Sequence, residues 1–163
     1  MTAERTRTFT WDDPLETAAG AQGRTGLEFI QALARGEIPP APIARLMDFG
    51  VEEAEHGRCV FTVEPAEYHF NPIGSVHGGV YATLLDSAMG CAVQTMLPAG
   101  VGYTSLDLSV KFLGSARLGS GLLRCTGTVT HFGRRTALAE ARIEDPSGRL
   151  LSTGTSSCLI LSG

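Results

Sequence analysis

Between Asn71 and Gly90 the sequence gathers one carboxylate, one imidazole, one carboxamide and a glycine pair: Asp86, His77, Asn71 and Gly78-Gly79. Asp86 sits inside a small-and-apolar run that continues to about Leu97. Desolvation disfavours the charged form of an acid in such surroundings, which is a motive for reactivity. The same acid could equally pair with a basic residue or turn to solvent. The glycine pair opens the run. First-turn amides of a helix are unsatisfied donors with partial positive charge, and glycine lets a ligand approach them closely; a plain turn into a helix would use the same residues. His77 fits a helix cap as well as a ligand contact. Arg134-Arg135, beside Gly133, offer guanidinium groups that bind phosphate bidentately, and a solvated turn has the same composition.

The elements that must position these groups follow from periodicity. Residues 1 to about 22 are polar and read as a loose arm, with the single tryptophan, Trp11, free to dock on the body or on a partner. Gly26 to about Arg35 has helical spacing in Leu27, Ile30, Leu33 and Ala34, and Gly36 ends it. Ile38-Pro-Pro-Ala-Pro42 is an extended connector, with a short helical turn at 43–46. Two strands follow, Asp48 to Glu55 and Gly57 to Glu64, turning at His56-Gly57, and Pro65 stops the second. Glu67 to Val76 is loop, in which His69, like His56, reads as a surface or loop histidine. Gly79 to Met96 is a long helix, apolar over most of its circumference and therefore buried on many sides. Four strands complete the chain: Tyr103 to Leu113, Leu122 to His131, Arg135 to Glu144 and Arg149 to Leu161. In the first, Leu106, Leu108, Val110 and Phe112 share one face. Asp145-Pro-Ser-Gly148 is a turn. A sheet of about six strands needs one face covered, and only the long helix can cover it. The expected class is α+β: an antiparallel sheet wrapped around one long central helix, with an N-terminal helical extension.

Bulk properties exclude several roles. The 163 residues suffice for one domain with a real core. With 43% hydrophobic and 18% charged residues the chain is not a disordered one. A net charge of −4 and no long basic run argue against nucleic acid or an anionic membrane as partner. No leader-like apolar segment opens the chain and no apolar run reaches about 18 residues, so a cytoplasmic location without a membrane helix is expected. Cys59, Cys91, Cys125 and Cys158 are scattered, without a Cys-x-x-Cys pair, and read as reduced, mostly buried thiols rather than a metal or disulfide framework.

At these residues the chain resembles the hotdog-fold acyl-CoA thioesterases of the phenylacetate-degradation (PaaI-like) type. The resemblance rests on Asn71, five residues, His77-Gly78-Gly79, six residues, Asp86 and then Gly90. Gly102-Tyr-Thr-Ser105-Leu-Asp-Leu-Ser109 and Gly133-Arg134-Arg135 support it. It spans roughly residues 45 to 161, which divides the chain into an N-terminal arm and helix (1–44) and a hotdog domain (45–163).

The resemblance implies a thioester hydrolase that releases a carboxylic acid and free CoA, with no metal and no cofactor beyond the CoA of the substrate. Asp86 would be general base on water or nucleophile. A Gly78 or Gly79 N–H would polarise the thioester carbonyl, Asn71 orient water or carbonyl, and His77 shape the loop or touch substrate. Ser105 would help hold the water, with Thr104 its substitute one register away, and Arg134 and Arg135 would take the CoA phosphates. Tyr81, Met89 and Phe112 are candidates to border the acyl pocket. The competing readings are a hotdog hydroxyacyl dehydratase, which needs a His–acid pair, and a non-catalytic acyl-CoA-binding hotdog protein, which would not need Asp86. Geometry adds one expectation. Gly78 and Asp86, eight residues apart, lie about 12 Å apart along one helix, too far to serve one carbonyl carbon. Two antiparallel copies about a twofold axis would pair them, so a homodimer is the minimum expectation, and the resemblance implies that a homotetramer, a dimer of dimers, is equally open.

Overall fold

Residues 4–161 are described by a computed structural model. The chain opens with three helices, α1 (Pro14–Ala19), α2 (Gly26–Ala34) and α3 (Pro42–Met47), followed by the hairpin β1 (Phe49–Glu55) and β2 (Arg58–Val63). A 3-10 turn at Glu67–His69 leads to the long α4 (Gly78–Gln94). Then come β3 (Gly102–Ser105), β4 (Ser109–Phe112), β5 (Leu123–Phe132), β6 (Thr136–Glu144) and β7 (Leu150–Leu161).

The strands form one antiparallel sheet in the order β1-β2-β5-β6-β7-β3, with β4 also on β7. Its concave face wraps α4, as the hotdog resemblance implied. Leu84, Leu85, Ala88, Met89 and Val93 of α4 are buried against it; truncating one of the larger of these to alanine removes about 2–5 kcal/mol of stability. The sheet makes room with small residues. On β6 the alternation places Ala137, Ala139, Ala141 and Ile143 inward. On β5 a Cβ at Gly127 would stand 2.3 Å from the Ala88 carbonyl oxygen, so only glycine permits this approach of helix to sheet.

Three expectations need correction. The single strand expected over 103–113 is two strands, which makes the sheet seven-stranded. Ser105 pairs with Cys158 but Ser109 pairs with Thr155, so residues 106–108 oppose only 156 and 157. This extra residue is a bulge. The Asp107 side chain accepts from the Ser157 N–H at 2.9 Å, and its carbonyl accepts from the Ser156 hydroxyl at 2.8 Å. The kink breaks the alternation, and Leu106, Leu108 and Phe112 are exposed rather than core. Second, the arm is not loose throughout. The Asp13 carboxylate caps α1 by accepting from the Leu15 N–H at 2.9 Å, and Pro14 occupies the first turn. Arg7 donates to the carbonyls of Arg45 and Leu46 and lies 3.8 Å over the Tyr68 ring. Trp11 stays exposed against Phe9, 5.6 Å between ring centroids.

Third, His69 is buried. Its Nε2–H donates to the Met47 carbonyl at 2.8 Å, and its Nδ1 accepts from the Ala66 N–H at 3.1 Å. The ring ties the end of α3 to the approach to α4. Burial pushes its pKa below the usual imidazole value. The extension is likewise fastened to the body: the Gly26 N–H donates to the Leu97 carbonyl at 2.9 Å beyond the end of α4. The expected boundary between residues 44 and 45 falls inside α3. Among the described residues no helix is long and apolar enough to cross a membrane.

Candidate active site

Asp86 lies half-buried at the middle of α4. Its Oδ1 accepts a hydrogen bond from the Ser105 hydroxyl at 3.0 Å. The two residues are 19 apart in sequence, and the fold joins them because β3 ends on β7, with Ser105 opposite Cys158. Thr104, opposite Leu159, takes the other face of the strand and is exposed.

Two residues before Ser105, on the same face, Tyr103 lies against Gly90. A Cβ at Gly90 would be 2.1 Å from the Tyr103 hydroxyl, so glycine one turn after Asp86 makes the place for this phenol. Burial raises the Tyr103 pKa well above its usual value, and negative charge on the neighbouring cysteines and on Asp86 adds to the effect. The phenol is therefore a neutral hydrogen-bond donor at physiological pH. Asp86, Ser87, Cys91 and Tyr103 form one side of a cavity of about 800 Å³. β1 and β2 continue the lining through Phe49, Val51 and Phe61, and the segment from α2 to α3 completes it.

The remaining candidates lie elsewhere. His77 is the N-cap of α4: its Nδ1 accepts from the Gly79 N–H at 2.8 Å. That engages Gly79, and no acceptor among the described residues takes the Gly78 N–H. Gly78 also supports the Phe112 ring, whose edge would be 2.9 Å from an added Cβ. A second cavity, of about 640 Å³, lies on this side, lined by His77, Gly79 and Thr83 together with Arg7 and Tyr68. Asn71 is occupied within its own loop. Its Oδ1 accepts from the N–H groups of Ile73 and Ser75 at 3.1 and 3.3 Å, and its Nδ2 donates to the Ser75 hydroxyl at 3.1 Å. Arg134 and Arg135 are exposed at the β5–β6 turn, where the Arg135 carbonyl accepts from the Ile160 N–H at 2.9 Å. Ile160 pairs with Tyr103, so the turn lies in the sheet rows beside the Asp86–Ser105 pair.

Of the expected pocket residues, Tyr81 and Met89 belong to the core instead. The Tyr81 hydroxyl accepts from the Ala116 N–H at 3.0 Å, and Met89 is 0% exposed. Phe112 borders Gly78 rather than the Asp86 cavity. The four cysteines are free thiols, and Cys91 reaches the cavity wall. Sequence reasoning passed over Tyr103, Cys91 and the α2–α3 segment. The one available signal was a lone tyrosine among small residues, two positions before Ser105.

The geometry has counterparts in known proteins. Residues 73–152 match the thioesterase superfamily profile. A Halobacterium salinarum protein named as an esterase is 31% identical over 121 residues, spanning 71% of this chain and 78% of that one. The chain belongs to the thioesterase superfamily. The 1,4-dihydroxy-2-naphthoyl-CoA hydrolase of Listeria monocytogenes is 28% identical over 104 residues, 63% of this thioesterase and 83% of the Listeria enzyme. The Escherichia coli PaaI protein from the phenylacetic acid degradation operon superposes with a TM-score of 0.74 at 20% identity, covering 85% of this thioesterase and 96% of that chain. The sheet-around-helix arrangement is thus the hotdog fold of PaaI-like proteins.

Proposed function

We propose that this thioesterase hydrolyses acyl-CoA to a carboxylic acid and free CoA, with Asp86 as its catalytic carboxylate. The observation that carries the reading is Asp86 in the wall of a ligand-sized cavity, its Oδ1 held by the Ser105 hydroxyl. Ser105 occupies Oδ1 and fixes the carboxylate, which leaves Oδ2 to act. As general base it takes a proton from water while the water oxygen bonds to the thioester carbon; the C–S bond then breaks and the proton passes to the CoA sulfur. As nucleophile Oδ2 would bond to the thioester carbon and break its C–S bond, CoA leaving as thiolate and taking up a proton; water would then cleave the resulting anhydride at the Asp86 carbonyl, releasing the acid. A single turnover in ¹⁸O-water separates the two: the base route labels the released acid, the nucleophile route labels Asp86.

The carbonyl needs a donor about 3 Å away. Among the described residues the Gly78 N–H, at the start of α4 and two turns from Asp86, has no acceptor, so the donor for one site comes from a second copy in an antiparallel homodimer. Support comes from the β3–β4 edge, where Leu106, Leu108, Phe112 and Leu113 are exposed and ask for a cover, Phe112 lying against Gly78. Arg134 and Arg135 supply cations for the CoA phosphates. The reaction needs no metal or cofactor, and the chain is expected in the cytoplasm. Within one chain His77 is exposed, caps its own helix and is not paired with Asp86; hydration of a crotonyl-type substrate without thiol release would favour the dehydratase instead.

The test is thiol release over an acyl-CoA panel by wild type, Asp86→Ala and Asp86→Asn. Both variants should lose about 100-fold or more in kcat, with the oligomer unchanged by light scattering. Wild-type rates in Asp86→Ala would refute the assignment, and acyl-CoA bound without turnover by wild type would restore the non-catalytic reading.

A further inference from the structure

The cavity beside Asp86 has an outer wall that the hydrolytic step does not require. The inner wall is α4 with the strands, represented by Asp86, Tyr103, Phe49 and Phe61. The outer wall is the N-terminal extension, represented by Pro39, Pro40 and Ile43. The prolines bring no N–H that would need a partner, so the connector presents apolar surface with few unsatisfied donors. Ile43 is 43% exposed, on the helix whose Ala44 is buried beside it, and it borders the cavity. At about 800 Å³ the space exceeds what an acetyl group fills and lies within the range of small-molecule sites. Its charged lining is carboxylates, Asp12, Glu16, Glu37 and Asp86, with one cation, Arg45, which already faces Asp12 at 3.6 Å. No free cation of the lining would meet a second carboxylate carried in on a substrate, and an unpaired buried charge is costly.

We propose that the N-terminal extension, through Pro39, Pro40 and Ile43, is the specificity-determining wall of an acyl chamber that accepts uncharged, chiefly hydrocarbon acyl groups longer than acetyl. This rests on the thioesterase reading: the thioester carbon sits at Asp86, and the acyl group extends from it toward the extension. Ile43 is then a length gauge, far from the bond that breaks.

The intact protein should be assayed with acetyl-, butyryl-, octanoyl-, dodecanoyl-, phenylacetyl- and glutaryl-CoA, as wild type, Ile43→Trp and Ile43→Ala. Wild type should prefer octanoyl- or phenylacetyl-CoA to glutaryl-CoA by about tenfold or more in kcat/KM. Ile43→Trp should lose about tenfold or more on octanoyl-CoA while acetyl-CoA stays within about twofold. Ile43→Ala should shift the preference toward chains longer than octanoyl, and this arm stands even if the tryptophan variant folds poorly. Equal effects of both substitutions on every acyl length, or glutaryl-CoA turned over as well as octanoyl-CoA, would overturn the chamber while leaving the thioesterase reading intact. Absence of turnover on every acyl-CoA by wild type would overturn both.

Discussion

The middle of α4 and its N-terminal end are built in opposite ways. At the N-terminal end the chemistry is local. His77 caps the helix through Gly79, and Asn71 closes its own loop through Ile73 and Ser75, all within nine residues. In the middle it is long-range: Asp86 meets Ser105 across 19 residues, Tyr103 rests on Gly90, and the far cavity wall comes from before residue 46. A local device survives changes elsewhere in the fold. A long-range one depends on the β3 register, which the bulge at 106–108 fixes by offsetting β4 from β3 on their shared partner β7. The difference separates a helix end that can donate without help from a carboxylate that works only where the tertiary structure puts it.

The largest expected effect breaks the long-range half. Gly90→Ala gains about 1 kcal/mol of helix propensity but drives a methyl carbon to 2.1 Å from the Tyr103 hydroxyl. Overpacking of this kind costs about 1–3 kcal/mol, so the net effect should be destabilising in a urea melt. Combining it with Tyr103→Val should recover most of the loss, a coupling that a double-mutant cycle reads directly. A stabilised Gly90→Ala single variant would mean that the tyrosine does not lie there.

A smaller pair of effects sharpens the contrast. Ser105→Ala removes one hydrogen bond worth about 1 kcal/mol, so kcat should fall about fivefold while the melting temperature drops by no more than about 4 °C, and Ser105→Thr should restore activity. Asn71→Ala strips the loop amides of Ile73 and Ser75 of their acceptor. Ile73 is exposed, so its amide can turn to water, and the cost should be about 1 kcal/mol of stability, with activity falling only in step with folding. If the two substitutions trade places, with Asn71→Ala harming kcat at full stability, the carboxamide touches the substrate and the local reading of the loop is wrong.

These halves also differ in how far the sequence revealed them. Helix periodicity and the small-residue run disclosed α4 and the need for a sheet around it, because burial on many sides leaves its mark on every turn. The family resemblance alone names Ser105, as a residue that helps hold the water; alternation groups it with Asp107, Ser109 and Lys111 on the polar face, and its contact with Asp86 was not legible in the sequence. Alternation then misled past Ser105, since a bulge held by Asp107 leaves no trace in the hydropathy of Leu106 and Leu108. The Pro39-Pro40 segment read only as a connector, because lining a cavity requires knowing what packs opposite. His69 read as a loop residue for the same reason: its partners are backbone groups of Met47 and Ala66, which carry no side-chain signature.

His69 supplies the smallest effect, one of pH rather than of catalysis. Its folded pKa is lowered, chiefly by desolvation, while in the unfolded chain the ring titrates near about 6.5. Between those two values the unfolded state binds more protons, so stability rises with pH there and is lost as pH falls below about 6.5 toward the folded value. Above the unfolded value the ring is neutral in both states and contributes no slope. The bonds to Met47 and Ala66 also require the neutral ring, since Nδ1 must accept while Nε2 donates. Melting temperature followed from about pH 8 to about pH 5 at fixed ionic strength should therefore decline only in the lower part of the range. His69→Gln should begin lower at about pH 8 and decline less steeply. His56, His77 and His131 are exposed and remain in the variant as internal controls. A variant as steep as wild type would place the acid sensitivity outside this ring, and the approach to α4 would then be held by its backbone turns rather than by His69.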